Sequence, residues 1–380
     1  MSTEEVYAAQ DEDIEGEDTS SEEDELITYP FNPNEVEIEI PPFSIDFLAD
    51  KIEYDEINMN TDFQRAGNLW TQEQQSRLIE SILLGLPLPA FYFDATNKQW
   101  DIIDGLQRCC AIENFCVKKT LKLKGLEFFG QKDGNTFLEG CGFDDLDRTL
   151  QRSILTRPIT VNCVKRAPRS IRYILFKRLN TGGLKLTAQE IRNAVYQGNA
   201  IDTVKRLAEL PEFGEATGGK IPTKRMQDRD FVSRFIAFYL TDYSKYQPSL
   251  DDFINRAMDL LEKKEPRLIE EDFKKALKLA RLIFGDDAFR KRTDYSAPRS
   301  PINKAYFEVI TVCFAKLSGD KEERLLKNEA LFRKMLLELM QDKGYNNALS
   351  RSTGSKESVK IRFSQFEQVL NECLEVEIVE

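Results

Sequence analysis

The residues with the clearest chemical potential lie at one turn. An extended run from Gln99 to Ile103 ends in Asp104-Gly105, and a helical stretch follows through Leu106-Gln107-Arg108. Glycine lets the backbone turn tightly there, while the first amides of a helix and its dipole favour an anion. Arg108 could add a two-pronged contact to a phosphate, and Asp104 could hold a metal or orient a water. The plainer reading of the same residues is an ordinary turn with Arg108 in a surface salt bridge.

Three further polar clusters accompany this turn. Gln64-Arg65 closes a predicted strand, Arg77 and Glu80 share the helix that follows, and Asn180-Thr181-Gly182-Gly183 forms a turn richer in polar groups than a connection requires. Taken alone, Arg77 and Glu80 could be a helix-surface ion pair contributing only a few tenths of a kcal/mol. Taken together, the clusters suggest one phosphate pocket. Between Lys165 and Arg192 stand eight basic residues, among them Arg166, Arg169, Arg172, Lys177 and Arg178, against the single acid Glu190. Such a stretch could line a nucleic-acid backbone, where affinity is mostly phosphate neutralisation, or it could be a solvated helix face.

What is missing narrows the chemistry. The 380 residues contain no histidine, which removes imidazole bases, Ser-His and Cys-His pairs and histidine metal triads. Seven cysteines with no Cys-x-x-Cys pair read as reduced, mostly buried thiols, as expected of a cytoplasmic protein. The net charge of −12 is unevenly spread: residues 1–50 hold 17 acids and no Lys or Arg, so the remainder carries 48 acidic and 53 basic side chains. No apolar run is long enough to cross a membrane.

The elements that must position these groups are legible in outline. Residues 1–42 read as an acidic, largely disordered tail, either solubilising or an autoinhibitory polyanion. Residues 43–200 read as an α+β domain. In it, Thr71 and Gln74 have capping-box spacing ahead of a helix with Leu78, Ile79, Ile82 and Leu83 on one stripe. Strands are predicted at Pro89–Phe93, Gln99–Ile103 and Ile159–Val164, and helices from Ser170 and from about Thr187. Beyond Gly198 the pattern is amphipathic helix to the end, so residues 201–380 read as an all-helical domain.

Read in order, Phe63-Gln64-Arg65, Ser76 through Leu83, Pro87-Leu88-Pro89, Ile103 through Arg108, and Arg178 through Asn193 resemble the GmrSD restriction-enzyme N-terminal family, within the ParB/sulfiredoxin superfamily. The family's Asp-Gly-Gln-Gln-Arg signature is matched here at four of five positions, Leu106 replacing the first glutamine. The resemblance implies a ParB/sulfiredoxin-like domain that binds a nucleoside triphosphate, with Mg2+, in a protein linked to DNA restriction or phage defence. It places Gln64, Arg65, Gly105, Arg108, Asn180, Thr181, Gly182 and Arg192 at the phosphates; the residues themselves add Arg77 there and put Asp104, Glu80 and Gln107 at the chemistry, with Asp104, or else Glu80, holding the metal or orienting water. A nucleotide hydrolase is the first expectation. A non-catalytic, nucleotide-switched DNA-binding regulator of a separate nuclease subunit, and a metal-dependent DNase using the same pocket, are the alternatives. A His-Asn-His nuclease domain, common in cutting relatives, is excluded by the absent histidine.

Overall fold

The computed structural model describes residues 13–16, 33–59, 70–130, 137–179, 186–196 and 198–376. They divide into two compact units, one of residues 29–195 and one combining residues 1–28 with 196–380.

The N-terminal unit is a mixed α/β structure. Its sheet runs in the order β1 (Glu37–Glu39), β7 (Val161–Arg166), β4 (Phe91–Asp94), β5 (Trp100–Asp104), β3 (Ile57–Asn58), and a two-stranded ladder joins β2 (Phe43–Ser44) to β6 (Pro158–Ile159). Strands β4 and β5 pair antiparallel, with Phe93 opposite Ile102, whereas β3 on β5 and β7 on β4 run parallel. Phe91, Phe93, Val161 and Cys163 are fully buried and join one core with Ile45, Leu48, Ile79 and Phe115 from the surrounding helices. Burial of these side chains, at roughly 1.5–3 kcal/mol each, holds the layers together.

Helix α1 (Ile45–Glu53) starts on the Ser44 hydroxyl, which accepts the Phe47 N–H. Helix α2 (Gln72–Leu83) begins with the expected capping box, formed in both directions by Thr71 and Gln74, and Gly85 follows its end at φ +78°. After β5 comes α3 (Leu106–Ile112), then α4 (Arg148–Leu155), α5 (Arg169–Leu179) and α6 (Ala188–Val195). Helix α4 escaped the sequence reading although Asp147 caps it in the usual way, accepting from the Thr149 and Leu150 N–H groups.

One boundary differs from expectation. Composition assigns residues 1–42 to a tail, yet Glu37–Glu39 is the edge strand of the sheet. Glu37 and Glu39 lie beside Arg166 and Lys165 of β7, at 4.0 and 3.7 Å, so cross-strand charge pairing supports a strand that hydrophobicity does not announce.

The C-terminal unit is helical: α7 (Asn199–Ala208), α8 (Pro211–Thr217), α9 (Gln227–Leu240), α10 (Leu250–Leu261), α11 (Arg267–Phe284), α12 (Lys304–Ala315), α13 (Gly319–Lys327), α14 (Glu329–Gln341), α15 (Lys343–Ser350) and α16 (Lys356–Glu375). Helix α12 is buried at nearly every position and packs against α9, α11 and α16. It is the core of the unit, which explains its lack of a polar stripe. No helix among the described residues is long and apolar enough to cross a membrane.

Candidate functional site

Strand β5 delivers Asp104 to the turn, and Gly105 adopts φ +107° as the residue before α3. Two constraints demand glycine here. The positive φ disfavours any side chain, and a Cβ would lie 2.7 Å from Phe91 Cδ1. Room at that point lets the Arg108 guanidinium sit 4.4 Å from the centre of the Phe91 ring.

Arg108 faces inward. It is 8% exposed, donates from Nη2 to Asp104 Oδ2 at 2.8 Å and to the Ala90 carbonyl at 3.3 Å, and donates from Nη1 to the Pro89 carbonyl. The expected phosphate clamp is therefore a lock joining the Pro89-Ala90 segment, the end of β5 and the first turn of α3. Asp104, its partner, keeps a side chain that is 31% exposed. Burial raises its pKa above the ordinary carboxylate value, against the opposing attraction of Arg108.

Glu80 also has a different placement from the one its chemistry suggested. It is 4% exposed, and its two oxygens accept the backbone N–H groups of Glu127, Phe128 and Phe129 at 3.0, 2.8 and 3.0 Å. Its neighbours on the same helix face do related work: Gln72 donates to the Lys122 carbonyl and Ser76 accepts the Lys124 N–H. Residues 72, 76 and 80, each one turn apart, form a ladder that fixes the backbone of 122–129. Arg77 pairs with Glu127 at 3.0 Å, both side chains well exposed. Replacing Glu80 with Ala should leave three amides without their acceptor and destabilise the N-terminal unit by on the order of 2–3 kcal/mol. Urea denaturation followed by tryptophan fluorescence would read this, since both tryptophans, Trp70 and Trp100, lie in that unit. An unchanged midpoint would show the ladder to be dispensable.

Gln107 accepts the Trp70 N–H at 2.9 Å through Oε1, and Gln75 donates to the Trp70 carbonyl at 2.9 Å. On the other side, Asn58 donates to Asp101 of β5 at 2.9 Å. Gln64 and Arg65 lie outside the described residues, but the chain on either side of them is thus anchored to β5 and α3. Asn180, Thr181 and Gly182 also lie outside them, following helix α5, which packs against β5. Arg192 is 1% exposed and donates from Nε to Gln189 Oε1 at 2.9 Å.

The basic stretch divides in two. Arg172 is turned inward against the buried Asp94 at 2.7 Å, which also accepts the Thr96 N–H and hydroxyl. Arg166, Lys177 and Arg178 are exposed and Arg169 is half-buried. The sequence offered no sign that Arg172 belongs with Asp94, a residue 78 positions earlier.

The arrangement defines a mixed α/β domain organised around a strand, an Asp-Gly turn and a helix locked by arginine. Residues 46–197 match the family described as GmrSD restriction endonuclease, N-terminal domain. The match links the protein to restriction-endonuclease-type defence. No curated protein and no solved structure matches the chain.

Proposed function

We propose that the N-terminal unit is a ParB/sulfiredoxin-like module that binds a nucleoside triphosphate and uses its occupancy to switch DNA restriction carried out with a separate nuclease subunit. The observation that carries this reading is the division of roles around β5. Glu80 and Arg108 are engaged inside the domain by backbone groups, and Asp104 is the member of the three whose side chain remains partly exposed. A site with one such carboxylate is better equipped to hold a ligand than to turn it over rapidly. Exposed Arg166, Lys177 and Arg178, with Arg169, supply the surface for a DNA backbone, from which Arg172 is withdrawn.

Among the described residues no three acidic or thiol side chains gather as a metal-binding group. A Mg2+ ion would be held by Asp104 with the nucleotide's own phosphate oxygens supplying other ligands, a common arrangement for this cation. Its contribution would be to neutralise phosphate charge.

Hydrolysis is the second reading, and the raised pKa of Asp104 favours it, because such a carboxyl can more readily take up a proton from an attacking water. The test is melting of the full chain, followed by tryptophan fluorescence, with ATP, GTP, CTP or UTP and Mg2+, beside phosphate release. Asp104→Asn is the informative variant, since the amide oxygen can still accept from Arg108. The expected result is a higher melting temperature with one nucleotide, by the linkage of binding to folding, and slow or no release. Rapid release abolished by Asp104→Asn would establish the hydrolase instead. No shift with any nucleotide would refute both.

A further inference from the structure

Residues 13–16 belong to the C-terminal unit and are held there as a bound peptide would be. Asp13 to Glu15 runs beside Ile302 in a parallel bridge: the Ile302 N–H donates to the Asp13 carbonyl at 2.8 Å, and the Glu15 N–H donates to the Ile302 carbonyl at 2.9 Å. On its other side Ile302 bridges Arg290. The contact is an isolated β-bridge, a one-residue form of the strand addition in which main-chain bonds set the register and side chains supply selectivity.

Each of the three side chains is read. Ile14 is 8% exposed. Both Glu15 oxygens are engaged, one by Lys291 and the other by Asn303 Nδ2 at 3.0 Å. Asn303 also caps α12, accepting the Tyr306 N–H at 2.7 Å, so the Glu15 carboxylate lies beside the positive end of a twelve-residue helix. Lys291 is oriented by Ser350, to which it donates at 2.6 Å. Asp13 pairs with Lys220 at 3.2 Å. Gly16 is not read, since a Cβ there would meet nothing.

We propose that Lys291, Ile302 and Asn303 form a binding site for a short extended peptide carrying isoleucine between two acids, and that Asp13-Ile14-Glu15 is its resident ligand in cis. A contact of one buried apolar side chain and two acids is small, and the covalent connection keeps it populated. An acidic peptide of the same pattern would therefore gain the site only by displacing the resident segment. The site is independent of the nucleotide reading and stands or falls separately from it.

The test uses the full chain and a fluorescent synthetic peptide with the sequence of residues 9–20, read by anisotropy. Wild type should show no saturable binding, because its site is filled. Ile14→Ser and, separately, Glu15→Ala in the full chain should open the site and bind the peptide saturably. Adding Lys291→Gln to the Ile14→Ser chain should weaken binding by about tenfold or more, as expected for losing a charge-assisted hydrogen bond. A peptide carrying Ser in place of Ile14 should not bind. The proposal is overturned if both opened chains melt normally yet leave the peptide unbound. It is equally overturned if wild type binds the peptide as well as they do, or if neither Lys291→Gln nor the serine peptide changes the affinity, which would mean unspecific charge attraction.

Discussion

Arg108→Ala should destabilise the N-terminal unit by about 3–5 kcal/mol, because it removes a buried guanidinium that serves two carbonyls, a carboxylate and an aromatic face. The loss has three parts. The partly buried Asp104 would lose its countercharge, the Pro89 and Ala90 carbonyls would lose their donor, and the face of Phe91 would lose the guanidinium 4.4 Å from its centre. Arg108→Lys should recover only part of it, because an ammonium cannot reproduce a planar group reaching two carbonyls and a carboxylate at once. The check is the urea midpoint by tryptophan fluorescence. A phosphate clamp facing solvent would behave oppositely, with nucleotide affinity lost and the midpoint unchanged. Any binding assay on Arg108→Ala must therefore be read beside its melting curve, and Asp104→Asn is the cleaner probe of ligand chemistry.

The contrast between what the sequence disclosed and what it concealed follows the separation of the partners. The capping box at Thr71 and Gln74 was legible because both partners lie within one turn. So was the strand, turn and helix at Asp104. The inward direction of Arg108 was not legible, because its carbonyl partners precede it by 18 and 19 residues. Glu80 looked like a chemical carboxylate for the same reason: the amides it holds are 47 to 49 residues away. Polar residues near a plausible pocket raise the same signal whether they await a ligand or fasten a loop. Only the fold separates the two.

The C-terminal unit shows the same limit from the other side. Amphipathic periodicity located most of its helices, since a one-sided apolar stripe is a local property. Helices α8 and α15, of seven and eight residues, hold only two turns of pattern, too little for periodicity to mark their ends. The docking of Asp13–Glu15 was invisible: composition marks the whole segment as acidic tail, and the partners Lys291 and Asn303 stand 276 and 288 residues later.

Arg362→Met should have an effect on the C-terminal unit as large as that of Arg108→Ala on the other, again about 3–5 kcal/mol. Arg362 and Glu308 are both fully buried, and Arg362 donates to Glu308 Oε1 from Nε at 2.8 Å and from Nη2, with Nη1 reaching the Thr353 carbonyl at 2.6 Å. The guanidinium also lies 5.9 Å from the centre of the Phe238 ring. Removing it leaves the buried Glu308 carboxyl without its main partner, the next cation, Arg234, standing at 3.8 Å. For a unit of this size, each kcal/mol lowers the melting temperature by roughly 2–4 °C, so a shift near 10 °C is expected in the helical circular-dichroism signal. The double variant Arg362→Met with Glu308→Leu should recover much of the loss, because the attraction within a buried pair rarely exceeds what both groups give up in leaving water. A double variant no better than Arg362→Met alone would show that Arg362 stabilises the unit mainly through Thr353, tying α16 to the segment before it, and that the ion pair itself contributes little.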